Sequence, residues 1–255
     1  MPLLLTFLPS YDKIKKNQHR FSKNRIAYYT SCAVTRTNFA NGQNSSITIC
    51  AAAGGGMEII MAKIKGRGGA LIAPLPPVMV SSGDMENSNI MTVAWTGIIN
   101  TIPPKTYISV RPKRHSYNMI KESGEFVINL TPARLVKEAD YCGIYTGAKV
   151  DKFEKCKLTK EPATEVKCAL IGESPLSLEC KVTEIIPLGT HDMFLADIVA
   201  VDVDEELIDK EGKLHLEKAG LAAYAHGEYF ELGKRIGKFG FSATKKKKHR
   251  NSPKK

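Results

Sequence analysis

The sequence has neither a long apolar run nor a recognisable secretory leader, and both absences narrow the class of protein. A membrane-spanning helix needs about 18 or more consecutive apolar residues, and no stretch of this chain reaches that length. The opening residues 1–10 are apolar first and the basic residues come afterwards, which is the reverse of the order in a signal peptide. We therefore expect a cytoplasmic protein with no membrane partner.

The spacings that mark metal sites and activated nucleophiles are also missing. The six cysteines never occur as Cys-X-X-Cys, the spacing of zinc and dithiol redox sites, so we interpret them as reduced packing residues. No Gly-X-Ser-X-Gly is present. The glycine-rich stretch 66–74 has no strand before it and no helix after it, as a phosphate loop would need. The sequence therefore predicts no metal site and gives little support for a hydrolase.

Acidic residues are scarce at both ends of the chain, which accounts for its net charge of +11. Residues 1–60 carry a net +5 and residues 242–255 a net +7, which leaves −1 for residues 61–241. A nucleic-acid-binding domain carries its basic residues on the folded surface. Because the body is nearly neutral, we expect no nucleic-acid partner, and we interpret the basic run at 245–250 as a solvated tail.

Residues 13–56 show no sustained hydrophobic period and are rich in Asn, Ser, Thr and Lys, a composition typical of disordered segments. A transit peptide would also be basic and poor in acid. We favour a gene-model artefact, with the natural start at Met57 or Met61, just after three glycines. The predicted organisation is a disordered or mis-annotated extension (1–60), a folded domain (61–241) and a disordered basic tail (242–255).

Hydrophobic patterns in the folded domain predict several strands with helices inserted between them. Strands are expected at 78–82, 89–96, 106–110, 125–130, 176–183 and 192–207, and helices at 115–124, 131–143 and 151–157. The regular strand–helix alternation of a Rossmann sheet is absent. We therefore expect a mainly β protein, either an antiparallel barrel or a sandwich, with peripheral helices.

Local features make these expectations specific. Thr131 is expected to cap the second helix, with Pro132 at its first position and Gly143 after its end. The strand at 192–207 is expected to be the most buried. The double proline at 103–104 is expected to prevent continuous pairing between the strands on either side of it.

Two stretches carry residues that suit one ligand. The cluster at 111–116 places Arg and Lys before His115 and Ser116, which open a predicted helix. A helix N-terminus with forked arginine donors suits a phosphate group, and a solvated basic turn explains the cluster equally well. The strand at 89–96 mixes amide and hydroxyl groups with Trp95 and other apolar residues. A flat ligand with polar edges needs that mixture, although a strand with one wet face has the same pattern.

Six longer motifs follow one another from residue 74 to about residue 241. They are PLPPVMVSSGD, NIMTVAWTGIINTIPPKTYISVRPKRHSY, SGEFVINL, VDKF, LGTHDMFLADIVAVDVDEE and AYAHGEYFELGKRIGKFGFS. This ordered set resembles the flavin reductase-like, FMN-binding split-barrel family, in its flavoredoxin-type branch. The resemblance implies a Greek-key antiparallel split barrel with inserted helices, which forms a homodimer and holds one FMN per subunit near the interface.

The resemblance also implies where FMN would bind. In such proteins the flavin ring lies against the strand that corresponds to NIMTVAWT, and the ribityl phosphate faces the segments RPKRHSY and VDKF. The implied cofactor-binding residues are Asn89, Met91, Thr92, Ala94, Trp95, Thr96, Arg111, Arg114, His115, Ser116 and Lys152. His191 stands at the family's Gly-Asp-His motif, where Thr190 replaces the acid, and it is the implied catalytic residue.

The implied function is that of an NAD(P)H:flavin oxidoreductase. Bound FMN would accept a hydride from NADH or NADPH and pass electrons on to an acceptor, while the protein binds and orients the cofactor. The flavoredoxin resemblance leaves an alternative open, namely a non-enzymatic FMN electron carrier that is reduced by an electron-transfer protein partner.

Overall fold

The structure is a computed structural model in which residues 65–243 are described in full. Before them, the backbone is described for residues 29–38, 44–52 and 57–61. The chain divides into two units between Ala70 and Leu71. No helix in the described part of the chain is long and apolar enough to span a membrane.

The first unit contains three described strands. They are β1 (Tyr29–Asn38), β2 (Asn44–Ala52) and β3 (Met57–Met61), which form an antiparallel sheet in that order. The sequence shows no periodic signal for this sheet. The predicted domain boundaries and the predicted start position stay predictions. From residue 244 onwards, the predicted basic tail lies outside the described residues.

The second unit contains the implied site residues. Its elements are β4 (Val78–Ser82), β5 (Asn89–Val93), β6 (Thr96–Asn100), β7 (Lys105–Val110), α1 (His115–Ser123), β8 (Glu125–Asn129), α2 (Val136–Ile144), α3 (Lys152–Cys156), β9 (Lys160–Pro162), β10 (Ala169–Ile171), β11 (Leu176–Pro187), β12 (Asp192–Val203), β13 (Ala222–Ala225) and β14 (Glu228–Glu231). Seven strands form one antiparallel sheet in the order β5-β4-β8-β11-β12-β7-β6. The predicted mainly β fold with inserted helices is confirmed.

The strand predicted at 89–96 is broken at Ala94 and Trp95. Its two halves, β5 and β6, lie at opposite edges of the sheet although only two residues separate them. At the break, Ser109 N–H donates to the Trp95 carbonyl at 2.9 Å, which brings the β5 end of the sheet to β7. The sheet is therefore curled into a half-barrel, and the prediction of one continuous strand is wrong.

The double proline at 103–104 lies in the connection between β6 and β7, and those two strands pair with each other from Thr96↔Ile108 to Asn100↔Lys105. The prediction that the prolines prevent this pairing is wrong. Proline cannot donate to a sheet ladder, but a residue in the connection between two strands does not need to donate a ladder hydrogen bond. Asn100 Nδ2 closes the turn by donating to the Pro103 carbonyl at 2.7 Å.

The predicted capping of the second helix is also wrong. A short 3-10 turn covers Ala133–Leu135, and α2 begins only after it, so that Gly143 lies inside the helix. The Thr131 hydroxyl is buried and has no hydrogen-bond partner among the described residues. Ala133 N–H donates instead to the Gly220 carbonyl at 2.7 Å. A distant segment thus satisfies the donor that a local cap would have taken.

β4, rather than β12, is the most deeply buried strand of the seven-stranded sheet, because all five of its residues are buried. Val78 and Val80 pack into the interior of the half-barrel, while Met79 packs on the other side against α2 and α3. β12 has only two buried residues, and Val201 on it is 52% exposed. The expectation that the strand at 192–207 is the most buried is wrong, since an apolar sequence can also form an uncovered face.

The other predicted elements have mixed outcomes. α1 and its end at Gly124 (φ 70°) agree with the sequence patterns, and α3, whose N-cap is Asp151, lies within the helix expected at 151–157. The segment 158–174, which shows no strand pattern, contains the short strands β9 and β10. The four cysteines in the fully described part are free thiols, and three of them are buried, as expected for packing residues.

Candidate functional site

A cavity of about 390 Å³ opens beside the break between β5 and β6. Its floor is formed by Thr92, Val93, Ala94 and Trp95, and within the described residues no further strand pairs with β5 on that edge of the sheet. The exposed fraction of Trp95 is 41%. The cavity therefore combines accessible backbone with a large, partly exposed aromatic ring.

A smaller cavity of about 110 Å³ adjoins the first, and Met91 and Arg114 line both. Most of the residues that line the smaller cavity have polar or charged side chains, and two of them, His115 and Ser116, begin α1. Among its lining residues are Asn89, Lys113, His115, Ser116, Thr146, Gly147 and Lys152. The two cavities thus form one site with a wide end and a narrow end.

His191 and Arg111 stand at the wide end. The rings of Trp95 and His191 are parallel to within 5°, with their centroids 6.5 Å apart, within the usual range for aromatic pairs. Arg111 Nε donates to His191 Nε2 at 3.3 Å, and Nδ1 lies 3.0 Å from Thr190 Oγ1. Burial, together with the charges of Arg111 and Arg114, lowers the pKa of His191. His191 is therefore neutral at physiological pH, with its proton on Nδ1.

Arg114 stands where the two cavities meet. Its side chain is held in place because Nη1 donates to the Gly143 carbonyl on α2 at 2.8 Å. Gly143 also lies close to β5, since a Cβ added there would stand 3.3 Å from the Thr92 Cβ. Thr92 Oγ1 donates to the Ala139 carbonyl. Close packing and the Thr92 hydrogen bond thus fix α2 against β5, and the Arg114 hydrogen bond ties α2 to the start of α1.

Buried donors line the narrow end. Ser116, on the first turn of α1, is 1% exposed, and its Oγ accepts from Asn89 Nδ2 at 2.6 Å. Within residues 65–243, no acceptor is found for the Ser116 O–H. The N–H groups in the first turn of an α-helix also lack intrahelical partners. The narrow end therefore presents hydrogen-bond donors to whatever occupies it.

Lys152 is a buried ammonium group at the same end. Its side chain is 3% exposed, and Nζ donates to the carbonyls of Ile90 at 2.6 Å and Cys142 at 2.8 Å. An ammonium has three N–H groups, so one remains for the cavity that Lys152 lines. Burial is the main reason that the pKa of Lys152 is lowered, and the nearby Arg114 contributes in the same direction. An anion in the cavity would offset both effects.

The wide end has a further wall that sequence patterns did not indicate. It includes Tyr224 and Tyr229 of the β13–β14 hairpin and Asp140 of α2. Tyr229 Oη donates to Asp140 Oδ1 at 3.2 Å. The motif AYAHGEYF contains both tyrosines, so the resemblance marked the segment but not the two side chains.

Eleven of the twelve residues singled out from the sequence line one or both cavities. These are Asn89, Met91, Thr92, Ala94, Trp95, Arg111, Arg114, His115, Ser116, Lys152 and His191. Thr96 does not, because it is buried in the β6–β7 hairpin, where its Oγ1 donates to the Tyr107 carbonyl at 2.6 Å. No group of three or more His, Cys, Asp or Glu side chains suited to a metal occurs among the described residues.

The curled half-barrel with a two-ended cavity at its strand break places the protein in the class of split-barrel flavoproteins. The sequence pattern of the family described as "Flavin reductase like domain" matches residues 72–233, well over half of the 255 residues. The chain belongs to this flavin reductase-like family, in its flavoredoxin-type branch.

Solved structures of two flavoredoxins are similar to this chain. The flavoredoxin of Desulfovibrio vulgaris (Miyazaki F) is 31% identical with a TM-score of 0.67, and the similarity covers 72% of this chain and 100% of that protein. The flavoredoxin of Methanosarcina acetivorans is 28% identical with a TM-score of 0.64 over the same shares of the two chains. An uncharacterized protein of Archaeoglobus fulgidus is 33% identical over 128 residues, which are 50% of this chain and 72% of that protein.

Proposed function

We propose that this protein binds FMN in the two-ended cavity and passes electrons from NADH or NADPH through it to an acceptor. The main support for the proposal is that a wide cavity of about 390 Å³ and a narrow polar cavity of about 110 Å³ meet at Met91 and Arg114. FMN has the matching two ends, a flat tricyclic ring and a terminal phosphate. The wide end lies within the range of about 300–1,000 Å³ that is typical of small-molecule sites.

The hydrogen-bond donors at the narrow end suit a phosphate group. Ser116 and Lys152 are almost fully buried, and each has an N–H or O–H group that is not used within the described residues. Arg114 adds a forked donor suited to phosphate oxygens, and the start of α1 adds the partial positive charge of a helix N-terminus. Buried donors without acceptors are costly, and a phosphate would satisfy them.

The wide end fits the ring. The backbone of Thr92–Trp95 supplies polar groups at its edge, while Trp95, Met91 and Val93 supply apolar contact. Bound FMN supplies hydride acceptance and the release of electrons singly or in pairs. The protein binds the ring, orients it and keeps the phosphate end dry.

His191 acts by holding Arg111 at the cavity. A neutral imidazole whose Nε2 already accepts from Arg111 is a poor general base. Its parallel packing on Trp95 and its bond to Arg111 instead fix the position of a guanidinium beside the ring. A dinucleotide donor carries phosphates that such a guanidinium can bind, and we assign Arg111 and His191 to the docking of NADH or NADPH.

The cofactor assignment is tested with apoprotein and three flavins. We expect FMN to bind at least about a hundredfold more tightly than riboflavin, because riboflavin lacks the phosphate that the buried charged donors would meet. FAD should also bind more weakly, since its phosphate is not terminal. Fluorescence titration gives the three dissociation constants. Equal affinity for FMN and riboflavin would contradict the placement of the phosphate.

A non-enzymatic electron carrier is the second candidate, and the similarity to two flavoredoxins over 100% of their length favours it. Stopped-flow absorbance separates the two functions. If NADH or NADPH bleaches the bound flavin at a rate that supports turnover, the protein is a reductase. If bleaching is slow with both dinucleotides but fast with a reduced ferredoxin, the protein is a carrier that takes its electrons from a protein partner.

A homodimer is part of the proposal. β6 is an edge strand of the sheet, and Ile98 (65% exposed) and Ile102 (88% exposed) lie on it and beside it. Exposed apolar side chains on an open edge favour pairing with another chain, and a second copy offers the same surface in return. Light scattering after gel filtration should give twice the chain mass, and Ile102→Glu should shift it towards the monomer.

A further inference from the structure

The two strands of the C-terminal hairpin are attached to the rest of the second unit in different ways. Tyr224 of β13 exchanges two backbone hydrogen bonds with Leu75, with N···O distances of 2.9 and 2.8 Å, and Ala222 N–H donates to the Thr131 carbonyl at 2.9 Å. β14 pairs with β13, and the described residues include no other strand that pairs with β14. β13 is therefore fixed to the body of the fold, whereas β14 is fixed mainly to β13.

Tyr229 is the side chain by which β14 reaches α2. Its neighbours Glu228, Phe230 and Glu231 are exposed, whereas Tyr229 is half-buried. The hydrogen bond from Tyr229 Oη to Asp140 Oδ1, at 3.2 Å, is the only side-chain hydrogen bond between β14 and another element within residues 65–243. The position of β14 therefore depends strongly on this single side-chain hydrogen bond. β13 depends on it less, because backbone hydrogen bonds also hold β13 in place.

This contact lies in the wall of the wide cavity. Tyr229, Asp140 and Tyr224 all line it, and the two tyrosine rings meet edge-on with centroids 5.4 Å apart. Burial and the neighbouring Asp140 carboxylate raise the pKa of Tyr229 to about 12. The phenol is therefore a hydrogen-bond donor throughout the physiological pH range, and the wall on this side is held by a bond that does not titrate there.

We propose that the Tyr229–Asp140 hydrogen bond is a positioning contact, which holds β14 against α2 at the wide cavity and thereby sets the rate at which bound flavin leaves. The proposal rests on the proposed function and extends it to cofactor retention. The hydrogen bond slows the release of FMN, and its removal speeds the exchange of bound FMN with free flavin.

The test compares release rates of FMN from the holoprotein and its variants. Tyr229→Phe removes one hydroxyl and keeps the ring, and Asp140→Asn removes the charge but keeps an acceptor oxygen. Tyr107→Phe is the matched control, because Tyr107 lines neither cavity and its hydroxyl has no hydrogen-bond partner in the fully described residues. Release is followed by the recovery of FMN fluorescence after rapid dilution, and the melting temperature of each apoprotein is measured in parallel.

We expect Tyr229→Phe to release FMN about five- to tenfold faster than wild type, the factor that corresponds to the removal of one ordinary hydrogen bond. Asp140→Asn should show a smaller increase. The double variant should be no faster than Tyr229→Phe, because both changes remove the same hydrogen bond. The melting temperatures of the variant apoproteins should match that of the Tyr107→Phe apoprotein. If the hydrogen bond only stabilised the fold, they would be lower.

Wild-type release rates in both Tyr229→Phe and Asp140→Asn would overturn the inference while leaving the proposed function intact. If Tyr229→Phe does not fold, Asp140→Asn decides by the same measurement. If the wild-type apoprotein takes up no FMN, the proposed function itself fails, and this inference fails with it.

Discussion

The narrow and wide ends of the cavity meet at Met91 and Arg114, yet they differ in how their side chains are held. At the narrow end, Ser116 and Lys152 are almost fully buried and are fixed by short hydrogen bonds. At the wide end, Trp95 is 41% exposed. A buried, fixed donor set suits a group that stays in place, and an accessible cavity suits a reaction partner that must come and go.

This difference predicts a division of work between the two ends. Substitutions at the narrow end should change how tightly FMN binds and should leave the rate of reduction of the bound flavin largely unchanged. Substitution of His191, which is assigned to dinucleotide docking at the wide end, should do the reverse. Each prediction below tests that division, in order of decreasing expected effect.

Removal of the Lys152 ammonium should have the largest effect. Lys152→Met keeps a long side chain but removes the charge and leaves the Ile90 and Cys142 carbonyls without their donor. Because charge-assisted hydrogen bonds are worth about 1.5–3 kcal/mol each, we expect FMN affinity to fall at least about a hundredfold. Fluorescence titration measures it. Lys149→Met, at an exposed position on the same segment, is the matched control and should bind FMN as wild type does.

A retained affinity in Lys152→Met would show that the phosphate lies elsewhere. Circular dichroism of the apoprotein is needed beside the titration, since the unpaired carbonyls also lower the free energy of unfolding. A variant that is folded but does not bind FMN would support the phosphate assignment, because only the ammonium and its bonds have been removed.

Gly147 should be the next most sensitive position. A Cβ added at Gly147 would overlap Asn89 Oδ1, and Asn89 is the residue that donates to Ser116. Gly147→Ala should therefore displace Asn89 and disturb the narrow end, with a loss of about tenfold in FMN affinity, equivalent to about 1.4 kcal/mol. Gly233→Ala is the control, because no atom lies within 4 Å of its added Cβ. Equal affinities in the two variants would contradict the role given to the Asn89–Ser116 pair.

His191 tests the wide end. His191→Ala removes the acceptor for Arg111 Nε, and we expect the rate of flavin reduction by NADH or NADPH to fall about fivefold because the guanidinium is no longer fixed. FMN affinity should change less than about twofold, since a contact at the wide end contributes little to phosphate binding. Stopped-flow bleaching and fluorescence titration give the two values. A larger change in affinity than in rate would reverse the proposed division.

The pH dependence of the same rate follows from the lowered pKa of His191. His191 is neutral above its pKa, so the rate should be constant between about pH 7 and about pH 8. As the pH falls through the lowered pKa, Nε2 gains a proton and can no longer accept from Arg111, and the rate should fall. In His191→Ala this acid limb should be absent. An acid limb that persists in the variant would have to come from another group.

Part of the narrow end was predictable from the sequence, because Arg114, His115 and Ser116 are neighbours along the chain. They belong to the basic cluster at 111–116, and a basic cluster before a helix is a local pattern. Asn89 stands at the start of a recognisable strand. Lys152 carried no local signal and came from the family resemblance alone.

The wide end was only partly predictable, because its walls come from distant segments. Asp140 and Tyr229 are brought together by α2 and the β13–β14 hairpin, and nothing in the local pattern around either residue indicates the other. The break at Ala94 also depends on the curling of the whole sheet, which a two-residue periodicity does not report. The same limit explains the misplaced helix start at Thr131, where Gly220 provides the acceptor.

Thr96 is implied by the resemblance but lines neither cavity, and it gives the smallest predicted effect. Its hydroxyl is directed to the Tyr107 carbonyl within the β6–β7 hairpin, one strand beyond the break that borders the cavity. Thr96→Val should therefore lower the free energy of unfolding by about 1 kcal/mol, for the removal of one hydrogen bond, and should leave FMN affinity unchanged. Thr96→Ser keeps the hydroxyl and should stay close to wild type. Urea denaturation and FMN titration of both variants separate the two possibilities, because a loss of FMN affinity in Thr96→Val beyond what its stability explains would return Thr96 to the flavin site.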